Sequence, residues 1–263
     1  MKADNRELWK DYIMKRLKIL LYLSMVALLF ACQGPKDLGQ KETAISPGVN
    51  TEMIQKEIPD FTNADGFLIS GRLSDEVAKV QDLAGKEGDE LKTLKEKIFK
   101  EQGDEIFKGY EFSKEEEDLI ARESYLTYVV GDTYYDENGH KKLDPSQEDF
   151  KEAQEQEAEN KAKDQAGFHG NAEVDVAAIH KDLPEFSEDE AFALTMRLND
   201  YLEARKDVQG LQGKDLSAFR EDLVREKKDD LAKGFNYFSE DQINLILSHI
   251  RLGYQVDGKE YTE

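Results

Sequence analysis

Ile58-Pro-Asp-Phe-Thr-Asn-Ala-Asp-Gly-Phe67 and Leu183-Pro-Glu-Phe-Ser-Glu-Asp-Glu-Ala-Phe192 are two versions of one pattern, with Phe192 standing 125 positions after Phe67. Holding that offset aligns Arg72 with Arg197, Asp75 with Asp200, Asp82 with Asp207, Gly85 with Gly210 and Gly88 with Gly213. It runs on through Leu91 and Leu216, Glu96 and Glu221, and Lys108-Gly109 and Lys233-Gly234; one inserted residue then brings Phe112-Ser113 onto Phe238-Ser239. An ungapped register of this length predicts a tandem duplication of a unit of roughly 80 residues.

Each copy reads as three helices, so the expected fold class is all-α. The first helix begins behind Phe61 or Phe186 at a Thr62 or Ser187 cap, with Ser187 and Glu190 forming a capping box. Its apolar face is Ile69, Leu73, Val77 and Val80, or Leu194, Leu198 and Leu202, at helical spacing. Asp-x-x-Gly-x-x-Gly follows, where the glycines allow the positive φ that turns the chain. The second helix presents Leu91, Leu94, Ile98 and Ile106, or Leu216, Phe219, Leu223 and Leu231, and stops at Lys-Gly. A third opens at Ser113 with Glu116, or Ser239 with Gln242. Leu119, Ile120, Leu126 and Val130 form its apolar face in copy one, and Ile243, Ile246, Leu247, Ile250 and Tyr254 in copy two. Each copy is expected to finish in a short hairpin-like turn, at Glu137-Asn138-Gly139 and at Asp257-Gly258-Lys259.

Ahead of the copies, Lys15, Arg16 and Lys18 precede an apolar run, Ile19 to Ala31, with the length and flank of a secretory signal. Met14 reads as the true start, because Asp4, Glu7 and Asp11 are out of character before such a signal. The run ends in Leu29-Phe30-Ala31-Cys32, which resembles the lipobox of bacterial lipoproteins. That resemblance implies cleavage before Cys32, acyl chains on this one cysteine of the chain, and anchoring to the membrane of a bacterial cell envelope. In a Gram-negative cell, Gln33 after the cysteine resembles lipoproteins sent to the outer membrane. The runner-up is an uncleaved signal anchor. More than one acyl chain is needed for stable attachment, at about 0.8 kcal/mol per buried methylene. The expected organisation is 1–31 signal peptide, 32–52 lipidated cysteine and tether, 53–136 first copy, 137–177 polar linker and 178–263 second copy.

The chain has a formal charge of −21, and no basic patch interleaved with aromatics offsets it. Nucleic acid is therefore excluded as a partner. The four histidines, His140, His169, His180 and His249, have no companions at metal-ligand spacing, so no metal or other cofactor is expected. Asp132 to Gly139 fails as a calcium loop, because Tyr134 falls at the first ligand position. No phosphate loop, dinucleotide fingerprint or nucleophile elbow occurs. Candidate structural ion pairs are Arg72, Asp75 and Glu96, with Arg197, Asp200 and Glu221, the arginines pairing with carboxylates of their own or the adjoining helix. Tyr125, Tyr128, Tyr134, Tyr135, Tyr237 and Tyr254 are either packing residues or a contact surface. The expected function is a non-enzymatic, lipid-anchored envelope module that binds a protein or other envelope partner. A structural spacer and an enzyme using scattered carboxylates are the alternatives.

Overall fold

A computed structural model describes residues 43–80, 83, 85–130, 133–142 and 167–263. The signal, Cys32, residues 33–42 of the tether, Asp82, Asp132 and the central part of the linker lie outside the described residues.

The all-α expectation, and with it the three-helix unit, is overturned: in each half, strands flank a run of helices. In the first half, β1 (Thr43–Ile45) and β2 (Gly48–Val49) lead into α1 (Thr51–Ile54), α2 (Asn63–Ala78), α3 (Asp89–Ile106) and α4 (Lys114–Glu123). β3 (Ser124–Tyr125), β4 (Tyr128–Val130), β5 (Thr133–Asp136) and β6 (Gly139–Lys142) complete it. The second half has β7 (Phe168–Gly170), β8 (Glu173–Val174), α5 (Val176–Ile179), α6 (Glu188–Ala204), α7 (Lys214–Leu231) and α8 (Glu240–Ser248). It closes with β9 (Ile250–Arg251), β10 (Gly253–Val256) and β11 (Lys259–Thr262).

The error has a physical source. Leu126, Val130, Ile250 and Tyr254 fit a helical period, yet α4 stops at Glu123 and α8 at Ser248. The runs that follow are rich in Tyr, Val and Ile and go into strands. Their partners come from far away in the chain. β4 pairs antiparallel with β1, Tyr128 opposite Ile45, and β10 pairs with β7, Tyr254 opposite Gly170. β2–β3 and β8–β9 form two smaller antiparallel ladders. Each half is thus closed by strands from its two ends, and these hold its helices over a core of its own. One core gathers Ile54, Phe61, Leu73, Leu91, Ile106 and Ile120; the other gathers Ile179, Phe186, Leu198, Leu216, Leu231 and Ile246.

Local signals decide the helix starts. Thr62, Ser113, Ser187 and Ser239 each form a complete capping box with the residue three positions on. α3 and α7 instead start at Gly88 and Gly213, which have φ of 54° and 55° and no side-chain cap. Their N–H groups donate to the backbone oxygens of Asp136 and Thr262 at the hairpin ends, 3.0 and 2.9 Å away. Lys95 bonds Glu137 at 2.8 Å and Arg220 bonds Glu263 at 3.1 Å, tying each hairpin to the long helix beneath it.

Tyr128 and Tyr254 sit under the glycine turns. The Tyr128 hydroxyl donates to Lys86 O at 2.8 Å; the Tyr254 hydroxyl donates to Leu211 O at 2.9 Å and accepts from Gly210 N at 2.7 Å. Both rings are buried and stack on the next strand, on Tyr135 and Tyr261. Removing the hydroxyl in Tyr254→Phe should therefore cost about 1–2 kcal/mol, since two backbone groups lose a partner. Denaturant unfolding at unchanged slope would register it, and an unshifted midpoint would show that water replaces the hydroxyl without penalty.

Candidate functional site

The two halves meet along α2 and α6. Ala64 and Leu68 pack on Ala193, all three buried, and the two alanines let the helices come close. Several contacts join positions that correspond at the 125-residue offset. Phe67 meets Phe192 with ring centroids 4.7 Å apart, and Gly234 N–H donates to Gly109 O at 2.9 Å. The charged contacts are reciprocal. Arg197 Nη2 reaches Asp65 Oδ1 at 2.8 Å, and Arg72 Nη2 lies 3.6 Å from Glu190 Oε1. Each arginine also serves a helix end: Arg197 Nη1 donates to Leu231 O at 3.3 Å and Arg72 Nη1 to Ile106 O at 3.3 Å, with Arg72 bonding Lys108 O and Gly234 O as well. One patch matched against its counterpart in this way is the arrangement of a two-fold interface.

The acids of this seam hold two jobs at once. Asp65 Oδ2 accepts the Thr62 N–H at 2.8 Å as the capping box requires, leaving Oδ1 for Arg197. Glu190 Oε2 accepts the Ser187 N–H at 2.8 Å, and Oε1 accepts the Tyr237 hydroxyl. Asp65 and Arg197 are 0% and 4% exposed, so the ion pair is dry. Burial alone would raise the Asp65 carboxyl, but Arg197, Lys233 and the Thr62 N–H hold it below its ordinary value. Burial pushes the Tyr110 phenol beside this pair well above its usual range, and the Asp65 charge adds to it. Tyr237 is raised in the same way by burial and its bond to Glu190. Asp189, next in chain to Glu190, is raised by burial and by repulsion from Asp75 and Glu190.

Beside the seam lies a cleft of about 510 Å3 walled by both halves. Its apolar floor is Ile58, Phe112, Ala232 and Ile243, and its back is the backbone at Gly109. Five carboxylates ring it, Asp60, Glu111, Glu116, Asp229 and Asp230, against Lys228 and Lys233. Both lysines are already engaged. Lys228 bonds Glu240 at 3.0 Å, and Lys233 spans from Asp65 at 3.3 Å to Asp60 O at 3.0 Å. Tyr201, pushed up to about 12 by burial and by its bond to Asp230, holds that rim carboxylate at 3.0 Å. Among the described residues, no lysine or arginine stands within ion-pair distance of the Asp60, Glu111 or Asp229 carboxylates.

A second groove, about 370 Å3 between α7 and α8, carries Arg220, Arg225 and Lys228 together with Val224 and Leu247. All three of its cations are paired, with Glu263, Asp222 and Glu240.

Of the residues nominated from sequence, Arg72 and Arg197 enter the seam, but their partners are Glu190 and Asp65 of the opposite half. Glu96, Asp200 and Glu221 are exposed and stand outside this network, whereas Asp75 pairs with neither arginine but repels Asp189 of the other half. Tyr128 and Tyr254 are no contact surface, because both are fully buried beneath the turns. Tyr135 stacks on Tyr128, and Tyr134 is half-buried on β5. Tyr125 is 47% exposed over Gly48, and Tyr237 stands at the seam with Lys108 over its ring. Asp65 and Lys233 carry the seam yet were not singled out. Asp65 occupies a capping position, which alone accounts for an acid there. Among the described residues, no group of three or more His, Cys, Asp or Glu is placed to hold a metal ion, and no helix is long and apolar enough to cross a membrane. No protein-family model matches the chain, and neither curated proteins nor solved structures show a match to it.

Proposed function

We propose that this chain is a lipid-anchored protein of the bacterial cell envelope that works by binding a protein partner, without catalysis. The cleft carries the reading: it is walled by both halves, and their reciprocal charged seam keeps its walls in register. Rigid walls spare a binding surface the ordering cost that would otherwise reduce affinity. Acyl chains on Cys32 would hold the cleft at the membrane while leaving it free to meet a partner.

Two measurements test it. Metabolic labelling with palmitate should mark the full chain and fail with Cys32→Ser, which should leave the membrane fraction. A photo-crosslinking residue in place of Asn236, which is exposed at the cleft, should yield a discrete adduct in the native cell. The same residue in place of Asp257, exposed on a hairpin tip, should not. Equal adducts at both positions, or none at either, would remove the cleft from the function.

A further inference from the structure

Building on the cleft as a binding site, we infer that its occupant is a segment of the partner protein that presents lysine or arginine side chains beside apolar ones. Two features lead there. The floor of Ile58, Phe112, Ala232 and Ile243 offers apolar surface inside a concave wall, whereas the rim holds more carboxylate than the chain neutralises for itself. Lys228 and Lys233 are spent on Glu240, Asp65 and Asp60 O, so the rim charge of Asp60, Glu111 and Asp229 is left for an incoming cation. An arginine or lysine side chain matches both parts, with a methylene stem for the floor and a charged head for the rim.

The two halves differ where this matters. α7 is capped by Ala232 whereas α3 is capped by Phe107, whose ring lies against Phe99 and Phe112. Four residues after the Ser239 cap stands Ile243, a floor residue; four after the Ser113 cap stands Glu117. A methyl group and an apolar branch thus occupy the positions at which the first half has a ring and a carboxylate. Half of the apolar floor, Ala232 and Ile243, thus comes from residues whose counterparts differ.

The experiment measures binding of labelled eight-residue peptides to the full chain in detergent, at low salt. One peptide alternates arginine and leucine, a second arginine and serine, and a third glutamate and leucine. The arginine–leucine peptide should bind at least tenfold more tightly than either of the others and weaken about tenfold between 25 and 300 mM salt. Asp60→Asn, Glu111→Gln and Asp229→Asn combined should weaken it by roughly tenfold. These three side chains are exposed, so the variant should keep the parent's melting temperature. Asn236→Trp, which fills the cleft from an exposed position, should also weaken it. Equal binding of the glutamate peptide, no binding at all, or indifference to both variants would overturn the inference. Spermine displacing the peptide at equal concentration would assign the cleft to free polyamines and overturn the protein segment. The crosslink at Asn236 fails separately: an adduct there with no preference for arginine peptides keeps the binding function and removes only this ligand class.

Discussion

Arg197→Met is expected to remove about 3–5 kcal/mol of stability, because it leaves the Asp65 carboxylate buried with its closest cation gone. Asp65 is fully buried, and the 2.8 Å bond from Arg197 is what offsets the cost of keeping its charge out of water. Lys233 at 3.3 Å remains, so the loss should stop short of unfolding the chain. For a protein of this size the melting temperature should fall by roughly 6–20 °C. Adding Asp65→Asn should recover at least half of the loss, since the amide oxygen still accepts the Thr62 N–H while the charge is gone. The pH dependence carries a sign. Asp65 has a folded value below its ordinary 3.8, so its contribution is complete well above pH 3.8 and is lost as the pH falls through the folded value. The gap between parent and variant should accordingly narrow on acidification below about pH 4, as Asp65 becomes neutral in both. A variant within 1 kcal/mol of the parent at pH 7 would mean that the seam admits water.

The partner of Arg197 shows where sequence reading reaches its limit. A capping box is spelled within four residues, so Thr62, Ser113, Ser187 and Ser239 could be placed as helix starts from their neighbours alone. The apolar stripe of α2, with Ile69, Leu73 and Val77, is equally local, and these residues are indeed core. An ion pair is legible only when both members are near in sequence, which drew attention to Asp75 and Asp200, three residues after each arginine. The true partners are seven residues before those arginines but on the other half, 132 positions from Arg197 in the case of Asp65. A hint was present: Asp65 and Glu190 correspond at the same offset as Arg72 and Arg197. An acid three residues after each cap already fits a capping box, so neither needs a second role. The strands were lost in the same way. Val130 fits a helical stripe with Leu126 until β1, some 85 residues earlier, draws it into a ladder. The cleft is further still from the sequence, because it exists only where residues 58–60, 109–116 and 228–243 converge.

The two halves also meet backbone on backbone, and Gly109→Ala should therefore be as damaging as the loss of Arg197. Gly109 has φ of 79°, and a Cβ built there would lie 2.6 Å from the C and O atoms of Gly234 and 2.9 Å from Phe235 N. The left-handed conformation alone costs an alanine about 1–2 kcal/mol. Backbone atoms cannot rotate away, so the halves must part, stretching the 2.9 Å bond between Gly234 N and Gly109 O and the 2.6 Å bond from Arg72 Nη2 to Gly234 O. A total of roughly 3–5 kcal/mol follows from adding the overpacking and hydrogen-bond losses. Gly85→Ala is the matched control, because Gly85 has φ of 88° and nothing within 4 Å of a built Cβ. Its cost should be the conformational 1–2 kcal/mol alone. Each half owns a separate core and the apolar cluster of the seam is small, built on Ala64, Leu68 and Ala193, so a weakened seam should also divide unfolding into two transitions. Gly109 forms the back of the cleft, which ties the seam to the proposed binding site. The Gly109→Ala chain should lose affinity for the arginine–leucine peptide even at temperatures where both halves stay folded. A single transition coincident with that of Gly85→Ala would show that the halves yield without separating.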